Sequence, residues 1–356
     1  MKRRKNAWTL MAVVMAMSVI LTSGLLPTKA SDLEKDYDVT LGELQETFDE
    51  YLMEEGYDFS EGTDEYYEYI NEQLLYHTDE RLRQHPSYDL LHAFMVEYKV
   101  AYADFLLCQE VLEYSETEEL AEVFTDAVSK SNDCIVVNSS QDTVEFCLSE
   151  SFQSKTINDI IQENAESNSS MSFNSNKVSG YNASDAVSYA KKYATSYNTS
   201  EYPKYSGEDC TNFVSQCLYA GGISMKGTNS TAGIYDSTTK WYCRYIKTVL
   251  LVRKYAVSTS WIRVSDFNTY MKSLVSTSKK TTISSLVSSC AVGDVVQLAD
   301  KTTGTPYHTI IISSKSSSSS TVQTAGYCGH SSDRNDVDVH DYLDESSDCF
   351  ILFDFT

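Results

Sequence analysis

The sequence is poor in the residues that punctuate open or fibrous chains: 356 residues hold only 4 Pro and 14 Gly. That scarcity excludes collagen-like and proline-rich fibrous classes. Cations are scarce as well, 28 Lys+Arg against 51 Asp+Glu, for a net charge of −23. So acidic a chain is a poor candidate for non-specific nucleic-acid binding, which needs Lys and Arg to displace counterions from phosphates. No Cys-x-x-Cys pair occurs, so no zinc pattern is read. Long apolar runs are missing beyond the first thirty residues. What the chain does have is aromatic surface, with 26 Tyr and 13 Phe, enough to build a core and to argue against wholesale disorder.

The one apolar run follows Lys2, Arg3, Arg4 and Lys5, spans roughly residues 7–26, and ends near Pro27 and Ala30. A basic start, an apolar stretch and a small residue before a polar segment are the marks of a secretory signal peptide over residues 1–30. An uncleaved anchor is the alternative. The mature chain is therefore expected to be secreted, to work outside the cytosol, and not to span the membrane. Its nine Cys (108, 134, 147, 210, 217, 243, 290, 328 and 349) are an odd number. If secreted thiols pair, at least one is left over.

Charge divides the chain. Residues 31–177 carry 7 Lys+Arg against 35 Asp+Glu, whereas residues 178–356 carry 16 of each. The acidic part, residues 31–163, is expected to be mainly helical. Leu41, Leu44, Phe48, Tyr51 and Leu52 recur at helical spacing, as do Leu91, Phe94, Tyr98, Tyr102, Phe105 and Leu112. Val96, Val100, Leu107 and Val111 form a second apolar face, which predicts a helix buried between others. The segments 134–137 and 143–147 read as a closing hairpin. His77, His85 and His92 lie on or beside helices, where histidines are expected to be solvated or hydrogen-bonded rather than metal-bound. Residues 164–180, rich in Ser and Asn, read as a linker.

The neutral part, residues 181–356, holds the candidate chemistry. Asp209 is positioned to cap a helix that starts at Cys210 and closes at Gly221 and Gly222. A thiol at a helix N-terminus loses its proton more readily, because unpaired amides and the macrodipole favour negative charge. Taken alone, helix position favours a plainer reading, in which Cys210 and Cys217 are two small core residues or one is half of a disulfide. About a hundred residues on, residues 293–298 read as a turn into a buried strand, and residues 307–313 as a second strand with His308 at its beginning. Residues 321–326 read as the returning strand, followed by His330. Cys210 and His308 together supply a nucleophile and a base. Asp336, Asp338, Asp341 and Asp344 surround His340, at a spacing that does not fit an EF-hand. No cofactor and no metal are expected.

The motifs YNASDAVSYAKKYA (181–194), DCTNFVSQCLYAGG (209–222), Trp241, Trp261, GDVVQ (293–297), YHTIII (307–312) and GHSSDR (329–334) resemble the bacterial putative amidase domain, grouped with the papain-like CHAP and NlpC-type cell-wall hydrolases. The resemblance implies an α+β fold with a papain-like C-terminal domain, in which the Cys-bearing helix packs on an antiparallel sheet. It implies Cys210 as nucleophile and His308 as base. For the third, polar member it points to His330, with Gln323, Thr324 and Asp333 as rivals. The expected activity is that of a cysteine amidase or peptidase acting on an amide substrate such as cell-wall peptide. The alternatives are a non-catalytic envelope-binding module on an inactive scaffold, and amine transfer in the transglutaminase manner. The acidic part is expected either to shield the site or to repel the anionic wall until neutralised.

Overall fold

A computed structural model describes residues 37–114, 135–138, 143–169, 178–205, 207–317 and 323–356. The expected signal peptide and Cys134 lie outside them.

The acidic part begins with α1 (Leu41–Glu55), opened by a capping box in which Thr40 and Glu43 bond each other's backbone. α2 (Asp64–Tyr76), the single turn α3 (Glu80–Arg83) and the long α4 (Tyr88–Tyr114) follow. α4 is apolar on more than one side, as its spacing predicts. Leu91, Phe94, Met95, Val96, Tyr98, Tyr102, Phe105 and Leu107 are all buried along it. The expected hairpin is present, with β1 (Ile135–Asn138) pairing β2 (Thr143–Phe146) in the register Ile135↔Phe146. α5 (Glu150–Ser154) and α6 (Ile157–Ser169) complete this part. α6 runs six residues into the Ser/Asn-rich stretch expected to be linker. Asn164 holds it there, donating to the Thr303 carbonyl at 3.1 Å and to Thr305 Oγ1 at 2.8 Å.

The second part is a helix-and-sheet arrangement. α7 (Ala183–Tyr193) and α8 (Cys210–Ala220) precede a small sheet of β3 (Gly233–Tyr235), β4 (Cys243–Val249) and β5 (Val252–Ser258), ordered β3-β5-β4. β3 runs parallel to β5, a pairing that no local signal announces. α9 (Thr259–Ile262), α10 (Val264–Lys272), β6 (Ser276–Lys280) and α11 (Ile283–Ser289) lead to β7 (Val295–Asp300), β8 (Pro306–Ser317), β9 (Gln323–Gly329) and β10 (Arg334–Asp338). The turn α12 (Val339–Tyr342) and β11 (Asp348–Asp354) close the chain described. Six strands form one sheet in the order β10-β9-β8-β7-β11-β6, every pair antiparallel. No described helix is long and apolar enough to cross a membrane.

The charge step at residue 177 falls inside one compact unit, Tyr37–Thr356. A single apolar core runs from α1 to β11, and α4 packs on β7 and β8. Polar pairs close the seam. His92 Nδ1 lies 2.7 Å from Asp300 Oδ2, Arg263 Nε lies 2.7 Å from Asp104 Oδ1, and the Tyr307 hydroxyl lies 3.3 Å from the Leu74 carbonyl. His92 is thus the hydrogen-bonded one of the two outcomes expected for it, buried in the seam; its partner lies 208 positions away in sequence.

The seam has a titratable member. Thr305 Oγ1 donates to Glu97 Oε1 at 2.6 Å, and burial pushes the Glu97 carboxyl from 4.5 up to about 7. Its folded pKa exceeds its unfolded one, so the bound proton favours the fold. That contribution is complete below about pH 4.5 and is lost as pH rises through about 7. Between about pH 5 and pH 8 the wild type should lose on the order of 2 kcal/mol more stability than Glu97→Gln, which has nothing to titrate there. Urea unfolding of both proteins at the two pH values checks this.

Candidate active site

α8 carries the Cys210 motif, and every side chain from Cys210 to Leu218 is buried. A polar sequence can be buried only if its groups are paired, and here they are. Asn212 Nδ2 donates to the Pro203 carbonyl and to Asp209 Oδ1, both at 2.9 Å, while its Oδ1 accepts from Trp261 Nε1 at 3.0 Å. Ser215 donates to the Trp261 carbonyl at 2.9 Å and accepts from Trp241 Nε1 at 3.1 Å. Gln216 Oε1 accepts from the Tyr189 hydroxyl at 2.7 Å. The two tryptophans, 4.5 Å apart between rings, are thus clamps on the helix. Trp261→Phe would leave Asn212 Oδ1 without its donor. It should cost at least about 1–3 kcal/mol, read as a lowered urea midpoint.

The glycines at the helix end allow a close approach. A Cβ on Gly221 would sit 2.6 Å from the Tyr181 ring, and one on Gly222 would sit 2.8 Å from the Gly180 carbonyl. Gly222 also has φ +97, a region costly for other residues. The start of α7 is thereby seated against the end of α8.

Asp209 occupies the N-cap position expected for it, yet its side chain makes no capping bond. Its carboxylate instead accepts from the Tyr205 amide at 3.0 Å and Asn212 Nδ2 at 2.9 Å, and lies 2.6 Å from His330 Nδ1. The other ring nitrogen of His330, Nε2, lies 2.8 Å from the Tyr193 carbonyl. Both ring nitrogens are engaged by these partners, and neither is left for the orienting role toward His308 that was expected. His330, stacked on Phe213 at 4.1 Å, ties Asp209 and the start of α8 to the end of α7. Among the rivals, Thr324 Oγ1 lies 2.7 Å from Ser316 Oγ in the hairpin between β8 and β9, Gln323 is exposed at the start of β9, and Asp333 is exposed with φ +48.

α8, which begins at Cys210, packs on β8, which bears His308. Thr211 Oγ1 lies 3.0 Å from Thr309 Oγ1, so the residues that follow each of the pair are bonded to one another. The Thr309 amide and, at 3.8 Å, the Thr211 hydroxyl lie against the Cys210 sulfur. His308 is opposite Leu298 of β7. Its Nε2 faces Gly329 of β9, where a Cβ would come within 3.7 Å of it. Its Nδ1 is buried with no hydrogen-bond partner among the described residues. Burial governs both groups. It pushes the Cys210 thiol up to about 11, with the Glu208 carboxylate adding to the rise and Lys99 opposing it. It pushes the His308 imidazole down to about 3, with Lys99 adding to the fall. At rest both the thiol and the imidazole are neutral.

Sequence reading missed the residues that crowd this junction from the acidic part. Glu208 Oε1 accepts from the Tyr67 hydroxyl of α2 and from Lys99 Nζ of α4. Lys99 also donates to Asn71 Oδ1 at 2.6 Å. An isolated Lys on an otherwise apolar helix was the only available signal.

Among the described residues no group of His, Cys, Asp and Glu could hold a metal. The eight described cysteines are all free, and all but Cys147 are buried. The expected pairing therefore does not occur among them.

No solved structure gives a significant match. A stretch of 58 residues is 43% identical to a Bacillus subtilis (strain 168) protein called Uncharacterized protein YjcM, covering 16% of this chain and 14% of that one. Another of 62 residues is 40% identical to Uncharacterized protein YhbB of the same organism, covering 17% and 19%. The chain thus spans less than a fifth of the length of either relative. Residues 180–352, which include α7, α8 and β8, match the family model described as "Putative amidase domain", and this match points to amide hydrolysis.

Proposed function

We propose that the protein is a secreted, papain-like cysteine amidase that hydrolyses peptide cross-links of the bacterial cell wall. The observation that carries the reading is the thiol of Cys210, at the first position of a helix inside the amidase match, packed against the strand that bears His308. His308 takes the proton of Cys210, and the thiolate adds to the carbonyl carbon of the substrate amide. Negative charge develops on the carbonyl oxygen at the start of α8, where first-turn amides and the helix dipole favour it. The C–N bond breaks as His308 returns the proton to the leaving amine, leaving a thioester on Cys210. Water, deprotonated by His308, releases the acid and restores the thiol. His330 acts one step removed, by fixing Asp209 and so the start of α8.

The neutral resting pair is compatible with this cycle: the thiolate forms only as substrate is engaged, not as a standing ion pair. The test is muropeptide analysis by mass spectrometry after incubating purified cell wall with the protein. New amine and carboxyl ends should appear with wild type and be absent with Cys210→Ala. Wall binding without any cleaved amide would favour an envelope-binding module. An added amine in place of water would mark transfer.

A further inference from the structure

The residues just ahead of both reactive groups are gripped by the same two helices of the acidic part. Ahead of Cys210, Glu208 is held by Tyr67 of α2 and Lys99 of α4. Gly207 lies under Leu106 and the Tyr67 ring, each within 3.6 Å of where a Cβ would stand. Ahead of His308, the Tyr307 hydroxyl lies 3.3 Å from the Leu74 carbonyl of α2, and its ring meets His92 of α4 at 6.3 Å. Thr305 donates to Glu97 of α4. Lys99, Val100, Ala103 and Leu107 of α4 face Glu208 and Tyr307 across a gap of only about 30 Å³, room for a water molecule and no substrate. Cys210 and His308 are 1% and 2% exposed.

We propose that α2 and α4 form an autoinhibitory cover, latched through Lys99 and Tyr67 onto Glu208, which must swing away before Cys210 can meet an amide. The inference rests on Cys210 being the nucleophile of the function proposed above. An amide carbonyl must approach the sulfur within van der Waals contact, and a peptide segment cannot do so through packed helices. The latch is a buried ion pair, and its strength is asymmetric. With both partners present the charges satisfy one another. Removing one leaves the other buried and unpaired, which favours states that let water reach it. The closed state therefore predominates, and a minor open population turns over substrate. The short distance in sequence from Glu208 to Cys210 makes the latch sensitive: whatever displaces Lys99 frees the loop that leads into α8.

The experiment measures the rate at which iodoacetamide modifies Cys210 in the full chain, located by peptide mapping, with no substrate present. Cys217, fully buried about two turns along α8, reports unfolding in the same digest. Lys99→Met should speed Cys210 modification by about tenfold or more while Cys217 stays unmodified. Lys99→Arg, which keeps the charge, should remain near the slow wild-type rate. Tyr67→Phe, which removes one hydroxyl, should give a smaller rise in the same direction, and it decides the matter if Lys99→Met modifies Cys217 as well. Unchanged or slower modification of Cys210 in folded Lys99→Met or Tyr67→Phe overturns the cover. The readout requires no amide substrate. An opened, reactive Cys210 that cleaves no amide would refute the proposed function and leave the cover standing.

Discussion

Cys210→Ala is expected to abolish amide hydrolysis, with a fall in kcat/KM of at least about 10⁴-fold, the scale on which removal of a catalytic nucleophile acts. The loss should be confined to chemistry. Cys210 is buried at the first turn of α8, and its sulfur makes only weak polar contacts, with Thr211 and Thr309. Removing one sulfur atom there should change stability by about 1 kcal/mol, and wall affinity hardly at all. The other buried thiols, among them Cys217, Cys243 and Cys290, carry no such role, and burial pushes each of them up as well. Their alanine variants should therefore keep activity. Parallel measurement of cleavage, urea midpoint and wall binding separates a catalytic loss from a structural one.

His308→Ala is the second large effect. Loss of a positioned general base lowers turnover by about 10²–10⁴-fold. The variant should also change its response to pH. Without His308 the thiol must ionise on its own, which an uncovered thiol does at about pH 8.5. Residual activity should then climb severalfold per pH unit between about pH 7 and pH 8.5, following the thiolate fraction. Wild type, whose base is already neutral and ready to accept across that range, should not show this climb. His330→Ala offers the contrast. It frees Asp209 and unseats the start of α8, so its main readout is a lowered urea midpoint, and its pH profile should keep the wild-type form.

How much of this was legible in the sequence follows from where each signal resides. α8 was readable because its beginning, its end and its apolar spacing all lie within fourteen residues. Cys210 at the helix start and His308 near the start of β8 both sit where local pattern put them. The double-faced burial of α4 was readable for the same reason. Long-range pairings were not. Lys99 meets Glu208 across 109 positions, and His92 meets Asp300 across 208. Nothing near any of the four residues announces its partner. Asp209 shows the subtler case. Its place before α8 was correctly read as an N-cap, but local preference cannot anticipate that a histidine 121 positions away competes for the same carboxylate. β11, which enters the sheet between β7 and β6, was invisible for a related reason: its place is set by its two neighbours.

The geometry also shows what the charge step records. The acidic side chains face outward over much of α1 and α2, while Tyr66, Tyr67, Tyr69, Ile70 and Leu74 face inward. Net charge describes the outer face; the inner face belongs to the same core as the sheet. The few cations of the acidic part are accordingly informative, and Lys99, almost fully buried, is the most so.

The central claim is that one sulfur carries the reaction. Its most direct test is a titration of the full chain with iodoacetamide, in which each sample is divided between peptide mapping and a cell-wall cleavage assay. The account predicts that cleavage falls in proportion to Cys210 modification and reaches zero at one modified Cys210 per chain. Cleavage that persists with Cys210 fully modified, or that vanishes while Cys210 is still free, would contradict it.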